Sequence, residues 1–222
     1  MTSTLPTIAV LGGTGAEGSG LAFRWARAGY KVIIGSRKAS RAEEAAAEVN
    51  EDGVTGADNE SAARACDIAV LTVPFAAQRD TLAAVRAELQ GKILVDVTVP
   101  LAPPRVSKVS LPAEGSAAQL AQATLGDGVR VVSAFQSVSA HRLKDPDYEI
   151  DCDVLVCGDE KKAREETIAL VEAAGMHGIH AGPLANAAAS EALTSVLIWI
   201  NRRYKVPSAG IRITGLDEGE TD

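Results

Sequence analysis

One stretch near the start of the chain constrains the fold more than any other. The apolar run Ile8–Leu11 leads directly into Gly12-Gly13-Thr14-Gly15-Ala16-Glu17-Gly18. A short apolar run bounded by glycine reads as a buried strand. Behind the glycines, Leu21, Ala22, Trp25 and Ala28 recur at helical spacing. Gly13, Gly15 and Gly18 fit G-x-G-x-x-G between that strand and that helix, the context in which the pattern carries meaning. Gly13 permits a tight turn. Gly15 lets backbone N–H groups approach a pyrophosphate at the helix N-terminus. Gly18 lets the helix pack close to the strand.

The alternation continues along the chain. Apolar runs at 30–35, near Val54, at 67–73, 92–98 and 129–135 are separated by helical patterns at 39–49, 76–89 and 116–124. A further strand–helix–strand unit spans 153–182, and a long helix runs from about Asn186 to Tyr204. Residues 101–112 and 136–148 read as loop. Near-continuous apolar strands alternating with helices predict a parallel sheet covered on both faces. The expected fold is therefore α/β, a doubly wound parallel Rossmann sheet with a short C-terminal helical segment. Residues 1–182 are expected to form the nucleotide-binding domain, and 183–222 a small helix and tail that border the cleft or a dimer contact. The acidic end, Leu216–Asp222, is expected to be disordered.

Charge and length narrow the function. The chain has 222 residues and a formal net charge of −7, with no basic block and only 4% aromatics. Phosphate contacts to nucleic acid need clustered Lys and Arg, and base stacking needs rings, so no nucleic-acid partner is expected. No apolar run reaches the roughly 18 residues of a membrane span. The start lacks the basic region of a signal peptide. Cys66, Cys152 and Cys157 are odd in number and lack CxxC spacing, which argues against a disulfide framework or a metal site and for a reducing cytoplasm. A Rossmann unit leaves too few residues for a full substrate domain, so the expected cleft is shallow, its substrates are small molecules, and a homodimer buries the last helix.

The end of the second strand selects the nucleotide. An NAD site usually places Asp or Glu there for the ribose hydroxyls. This chain reads Gly35-Ser36-Arg37-Lys38, with Arg41 one turn later. Arg37 can hold a 2′-phosphate, Ser36 can donate to it and Arg41 adds charge, so NADP is the expected ligand. Two later strand ends, Thr72-Val73-Pro74 and Thr98-Val99-Pro100, point toward the same cleft.

No catalytic acid/base stands out. His141, His177 and His180 lie late in the chain, no Tyr-x-x-x-Lys pair exists, and the cysteines have no adjacent His. Hydride transfer between two cofactor rings needs stacking and orientation more than proton transfer, because the cofactors carry the chemistry. A good NADP site without an acid/base fits that case.

In order along the chain, IAVLGGTGAEGSGLA, VIIGSR, ACDIAVLTVP, VVSAFQSVSA, VLVCGD and AGPLANA resemble the NADPH-dependent coenzyme F-420 reductases. The resemblance implies direct hydride transfer between nicotinamide C4 and C5 of a 5-deazaflavin, with NADP and coenzyme F-420 stacked in one cleft. It implies that Thr14, Gly15, Ala16 and Glu17 form the phosphate loop, and that Ser36, Arg37 and Arg41 hold the 2′-phosphate. Val73 and Val99 fall near the nicotinamide. Gln136, Val138 and Ser139 fall on the segment facing the deazaflavin; some members carry His and Pro where this chain has Gln136 and Ser139. It assigns no catalytic side chain. Two alternatives stay open at this point: an NADPH-dependent reductase of the same fold acting on a flavin, quinone, ferric ion or small imine, and a non-catalytic NADP-binding regulator.

Overall fold

A computed structural model describes residues 5–216. Of the acidic end, all but Leu216 lies outside the described residues. Strands β1 (Ile8–Leu11), β2 (Val32–Ser36), β3 (Val54–Asp58), β4 (Ile68–Leu71), β5 (Ile93–Asp96), β6 (Arg130–Ser133), β7 (Asp153–Gly158) and β8 (His177–His180) form one sheet. Their order is β3-β2-β1-β4-β5-β6-β7-β8. Helices α1 (Ala16–Arg27), α2 (Ala39–Val49), α3 (Asn59–Ala65), α4 (Phe75–Val85) and α5 (Ala117–Leu125) connect the first six strands. A single turn, α6 (Ala140–Leu143), precedes β7; α7 (Lys161–Ala173) links β7 to β8, and α8 (Ala187–Tyr204) ends the regular structure.

The alternating pleat sorts the strand side chains into two cores. Ile8, Val10, Val32 and Ile34 pack with Leu21 and Trp25 of α1 and Leu170 of α7. Ala9, Leu11, Ala69 and Leu71 pack on the other face with Leu82 of α4 and Ala118 of α5. Burial on both faces is what makes the strands continuously apolar.

The sheet is not parallel throughout. β6 and β7 pair antiparallel, Val132 with Gly158 and Ser133 with Cys157. A parallel link needs a crossover helix, and the segment between these strands supplies one helical turn only. In that register the first residues of β7 lie beyond the carboxyl end of β6. The chain leaving β6 runs beside them, and Ser137 Oγ donates to the Asp153 carbonyl at 3.2 Å. Together they form a wall standing above the carboxyl edge of the parallel strands. Phe135 makes the bend with φ of 75°, a left-handed conformation that a bulky side chain adopts only under constraint. The constraint is packing: Phe135 is buried edge-on against Trp25, with ring centroids 5.9 Å apart. Trp25 is fixed in turn by its Nε1–H, which donates to the Leu170 carbonyl at 2.7 Å. Arg24 holds the segment that follows. Its guanidinium donates to the carbonyls of Arg142, Leu143, Asp145, Tyr148 and Ala174.

A buried polar cluster ties this wall to α8. Asp96, at the end of β5, accepts from Thr98 N at 2.9 Å and from Gln78 Nε2 of α4. Its own carbonyl accepts from Gln136 Nε2 at 2.8 Å. The Gln136 carbonyl accepts from Thr194 Oγ1 of α8 at 2.8 Å. Glu191 of α8 accepts from Ala117 N and Ala118 N, capping α5 at 2.6 and 3.0 Å. Gln78 Oε1, Thr98 Oγ1 and Ser133 Oγ are buried here without partners among the described residues.

Burial pushes the Asp96 carboxyl up to about 6 and the Glu191 carboxyl up to about 8. Both shifts are upward, so the folded chain retains protons that the unfolded chain releases. The resulting stability is complete below the ordinary carboxylate range and is lost as pH rises toward 8. Thermal melts between pH 4 and 8 should show the melting temperature falling as pH rises. Asp96→Asn should flatten the lower part of that decline; an unchanged profile in the variant contradicts the assignment.

Candidate functional site

Ligands of open α/β sheets bind outside the carboxyl ends of the strands, and the residues singled out above gather there. At the end of β1 the tight turn falls on Gly12, whose φ is +70°, rather than on Gly13. Gly13 is required for another reason: a Cβ there would meet the Val10 carbonyl oxygen at 2.7 Å. A Cβ on Gly18 would meet Gly13 Cα and Thr72 Oγ1, each at 2.6 Å, so Gly18 does let α1 sit close to the strands. At Gly15 nothing lies within 4 Å, which leaves the approach to the helix open.

Thr14, Gly15 and Ala16 are exposed at this open end. No side chain caps α1, so its first N–H groups are free to meet an anion. Asn59 supports the loop from behind, accepting from Gly12 N at 3.2 Å. Glu17, in the first turn, is only partly exposed and has no partner among the described residues. Burial pushes its carboxyl up to about 8. That upward shift favours the neutral carboxyl and weakens its repulsion of a pyrophosphate at the helix end, so the loop fits the group.

Ser36 ends β2 and is partly exposed; Arg37, Lys38 and Arg41 are exposed. Lys38 occupies the N-cap of α2, and the first turn of that helix has no acidic residue. Cations at the positive end of a helix are placed against its dipole, at a cost of about 0.3–1 kcal/mol each. None of them pairs with an acid among the described residues. The strand-end carboxylate in register with Ser36, that of Asp58, is committed to capping α3 through Ser61 N and Oγ. Those hydrogen bonds hold it below the usual carboxylate range. The turn is electrostatically incomplete in a way that a phosphate completes.

Val73 stands just past the end of β4, hard against Gly12: a Cβ on Gly12 would clash with Val73 Cγ1. Val99 follows β5 and is partly exposed. Across the edge, Val138 packs against the core and Ser139 precedes α6. The Gln136 side chain turns inward to the Asp96 carbonyl and its own carbonyl accepts from Thr194, so its amide is not offered to the cleft. Among the described residues, no histidine hydrogen-bonds a residue named for this site. His177 pairs with Asp153 at 3.1 Å, His180 meets Arg164 at 3.4 Å, and His141 is exposed.

Sequence reasoning passed over Asn59, Gln78, Asp96, Arg24 and Glu191. Only Glu191 left a signal, as a lone acid in the apolar run SEALTSVLIWI. Among the described residues, no group of acids, histidines and cysteines could hold a metal, and no helix is long and apolar enough to cross a membrane. All three cysteines are free and buried.

Residues 7–100, which contain the glycine loop, the basic turn and both valines, match the family model described as NADP oxidoreductase, coenzyme F420-dependent. The chain is 44% identical over 225 residues to the F420-dependent NADP reductase of Methanothermobacter thermautotrophicus, covering 96% of this chain and 97% of that one. It is 40% identical to the protein of the same name from Methanocaldococcus jannaschii, covering 95% and 99%. A crystal structure from Arthrobacter sp. FB24, described as a candidate F420-dependent NADP reductase, superposes with a TM-score of 0.81 at 27% identity, covering 95% of this chain and 100% of that one. The chain belongs to the F420-dependent NADP oxidoreductase family.

Proposed function

We propose that this chain transfers a hydride between NADP(H) and the 5-deazaflavin coenzyme F-420. One observation carries the reading: Arg37, Lys38 and Arg41 stand uncompensated against the dipole of α2, at the sheet edge that also holds the open phosphate loop. A 2′-phosphate supplies the missing charge. The names of the relatives supply the acceptor.

With both substrates bound, nicotinamide C4 gives up a hydride, C5 of the deazaflavin takes it, and a proton is taken up at the deazaflavin ring. No protein acid/base is needed at the carbon that receives the hydride. The chain contributes orientation. Thr14, Gly15, Ala16 and Glu17 hold the pyrophosphate through backbone N–H groups. Ser36, Arg37 and Arg41 hold the 2′-phosphate. Val73, fixed by Gly12, and Val99 give the nicotinamide an apolar seat that excludes water. Gln136, Val138 and Ser139 line the opposite wall, where the deazaflavin stacks.

In the same reading, residues 1–182 bind the nucleotide and 183–222 close the cleft and carry a homodimer contact. Val196, Trp199 and Tyr204 of α8 are 44%, 60% and 71% exposed, an apolar stripe that a second copy would cover. Buried free thiols suit a cytoplasmic protein.

The direct assay follows deazaflavin absorbance with NADPH under anaerobic conditions. Bleaching of the oxidised chromophore is expected; unchanged absorbance across pH 5–8 contradicts the reading. Arg37→Ala should raise the NADPH KM by about 10- to 100-fold, the value of one charge-assisted hydrogen bond, with a far smaller effect on NADH. Equal effects on both nucleotides contradict the 2′-phosphate role. Trp199→Glu should shift the protein from dimer to monomer in sedimentation velocity. A dimer that persists removes α8 from the interface.

A further inference from the structure

The segment between β6 and β7 carries a guanidinium that the described protein does not use. Arg142 is partly exposed and lies over the Tyr148 ring, 4.3 Å from its centroid. Among the described residues its side chain makes no hydrogen bond and no ion pair. The backbone on both sides is nonetheless fixed, because Arg24 holds the carbonyls of Arg142 and Tyr148 at 3.2 and 3.1 Å. The cation and its aromatic platform are thus positioned, while the guanidinium donors are left free.

Beside them is a cavity of about 50 Å³ lined by Ser137, Ser139, Arg142, Tyr148, Asp151 and Ser208, among others. A single water needs roughly 10–15 Å³, so a group of several heavy atoms can enter. The one acid on its wall, Asp151, is neutralised by Arg212 at 2.6 Å. The charge left facing the cavity is that of Arg142. A stacked guanidinium beside hydroxyls is suited to an oxyanion, which it can grip through more than one N–H at once. Ser139 is shared with the wall assigned above to the deazaflavin, so the cavity adjoins that wall. The basic residues closing α8 are less suited: Arg202 already donates to Ser107 at 3.2 Å, and Arg203 and Lys205 are exposed.

We propose that this cavity is a subsite for the phosphodiester on the tail of the deazaflavin substrate, held by Arg142 on its Tyr148 platform with Ser139 and Ser208 beside it. The proposal rests on the function proposed above. It makes Arg142 the residue that distinguishes the tailed coenzyme from its uncharged, tail-less riboside.

The test compares steady-state kinetics of the full chain with NADPH and each of those two acceptors. In Arg142→Gln, the KM for the tailed coenzyme should rise about tenfold more than the KM for the riboside. Arg142→Lys should recover part of the difference. Tyr148→Leu should shift the ratio in the same direction by less. Raising ionic strength should increase the wild-type KM for the tailed coenzyme and affect Arg142→Gln less. Equal changes for both acceptors, or none, overturn the subsite, and melting curves show whether equal losses come from misfolding. Failure of the wild-type protein to reduce either acceptor overturns the underlying function, and the subsite with it.

Discussion

The reversal of chain direction after β6 determines what this sheet edge can do. A wholly parallel sheet of this kind offers one shelf at its carboxyl edge. Here the chain leaving β6 continues past the edge and β7 returns antiparallel beside it, adding a wall above the shelf. The bend is held by packing rather than by glycine. Phe135 keeps a left-handed backbone because its ring is buried against Trp25, and Trp25 is tied to α7. Loss of either ring would free the bend, and the second face of the cleft would lose its position. The nucleotide shelf depends on different residues, around Gly12, Gly13 and Gly18. The two halves of the cleft therefore have separate structural supports.

The polar cluster around Asp96 couples those halves. It joins β5 to α4 through Gln78, to the wall through Gln136, and reaches α8 through Thr194. Glu191 anchors α8 to α5 independently. Two buried carboxyls without a cation are an expensive way to connect secondary structure. The cost is reduced when they hold protons, which is the direction in which burial shifts both. The connection is correspondingly strongest at lower pH. It also directs the Gln136 amide away from the cleft, so that wall offers no side-chain acid or base at this position. Such a wall suits a flat ring system that brings its own chemistry.

Much of the shelf was legible in the sequence because its chemistry is local. The glycine spacing, the missing acid after β2 and the run Ser36-Arg37-Lys38 each fall within a few residues. What those residues mean follows from helix ends and turn sterics. The wall was less legible because its cause is distant in sequence. Nothing near Phe135 announces a left-handed residue; the reason is Trp25, on another element. The antiparallel return had a fainter signal, the lack of a helical pattern between residues 136 and 148. Asp96 and Gln78 read as ordinary residues at a strand end and on a helix. Only assembly makes them neighbours and removes them from water. Arg24 likewise looks like one more surface cation until five carbonyls converge on it.

The central claim is that shelf and wall hold two rings close enough for a hydride to pass directly, without protein or solvent as carrier. Single-turnover reaction with NADPH deuterated at the transferable C4 position, run in ordinary water, tests this most directly. The account predicts that the deuterium appears at C5 of the reduced deazaflavin without dilution, with a primary isotope effect on the transfer step. Deuterium lost to solvent, or found on a protein group, would contradict it.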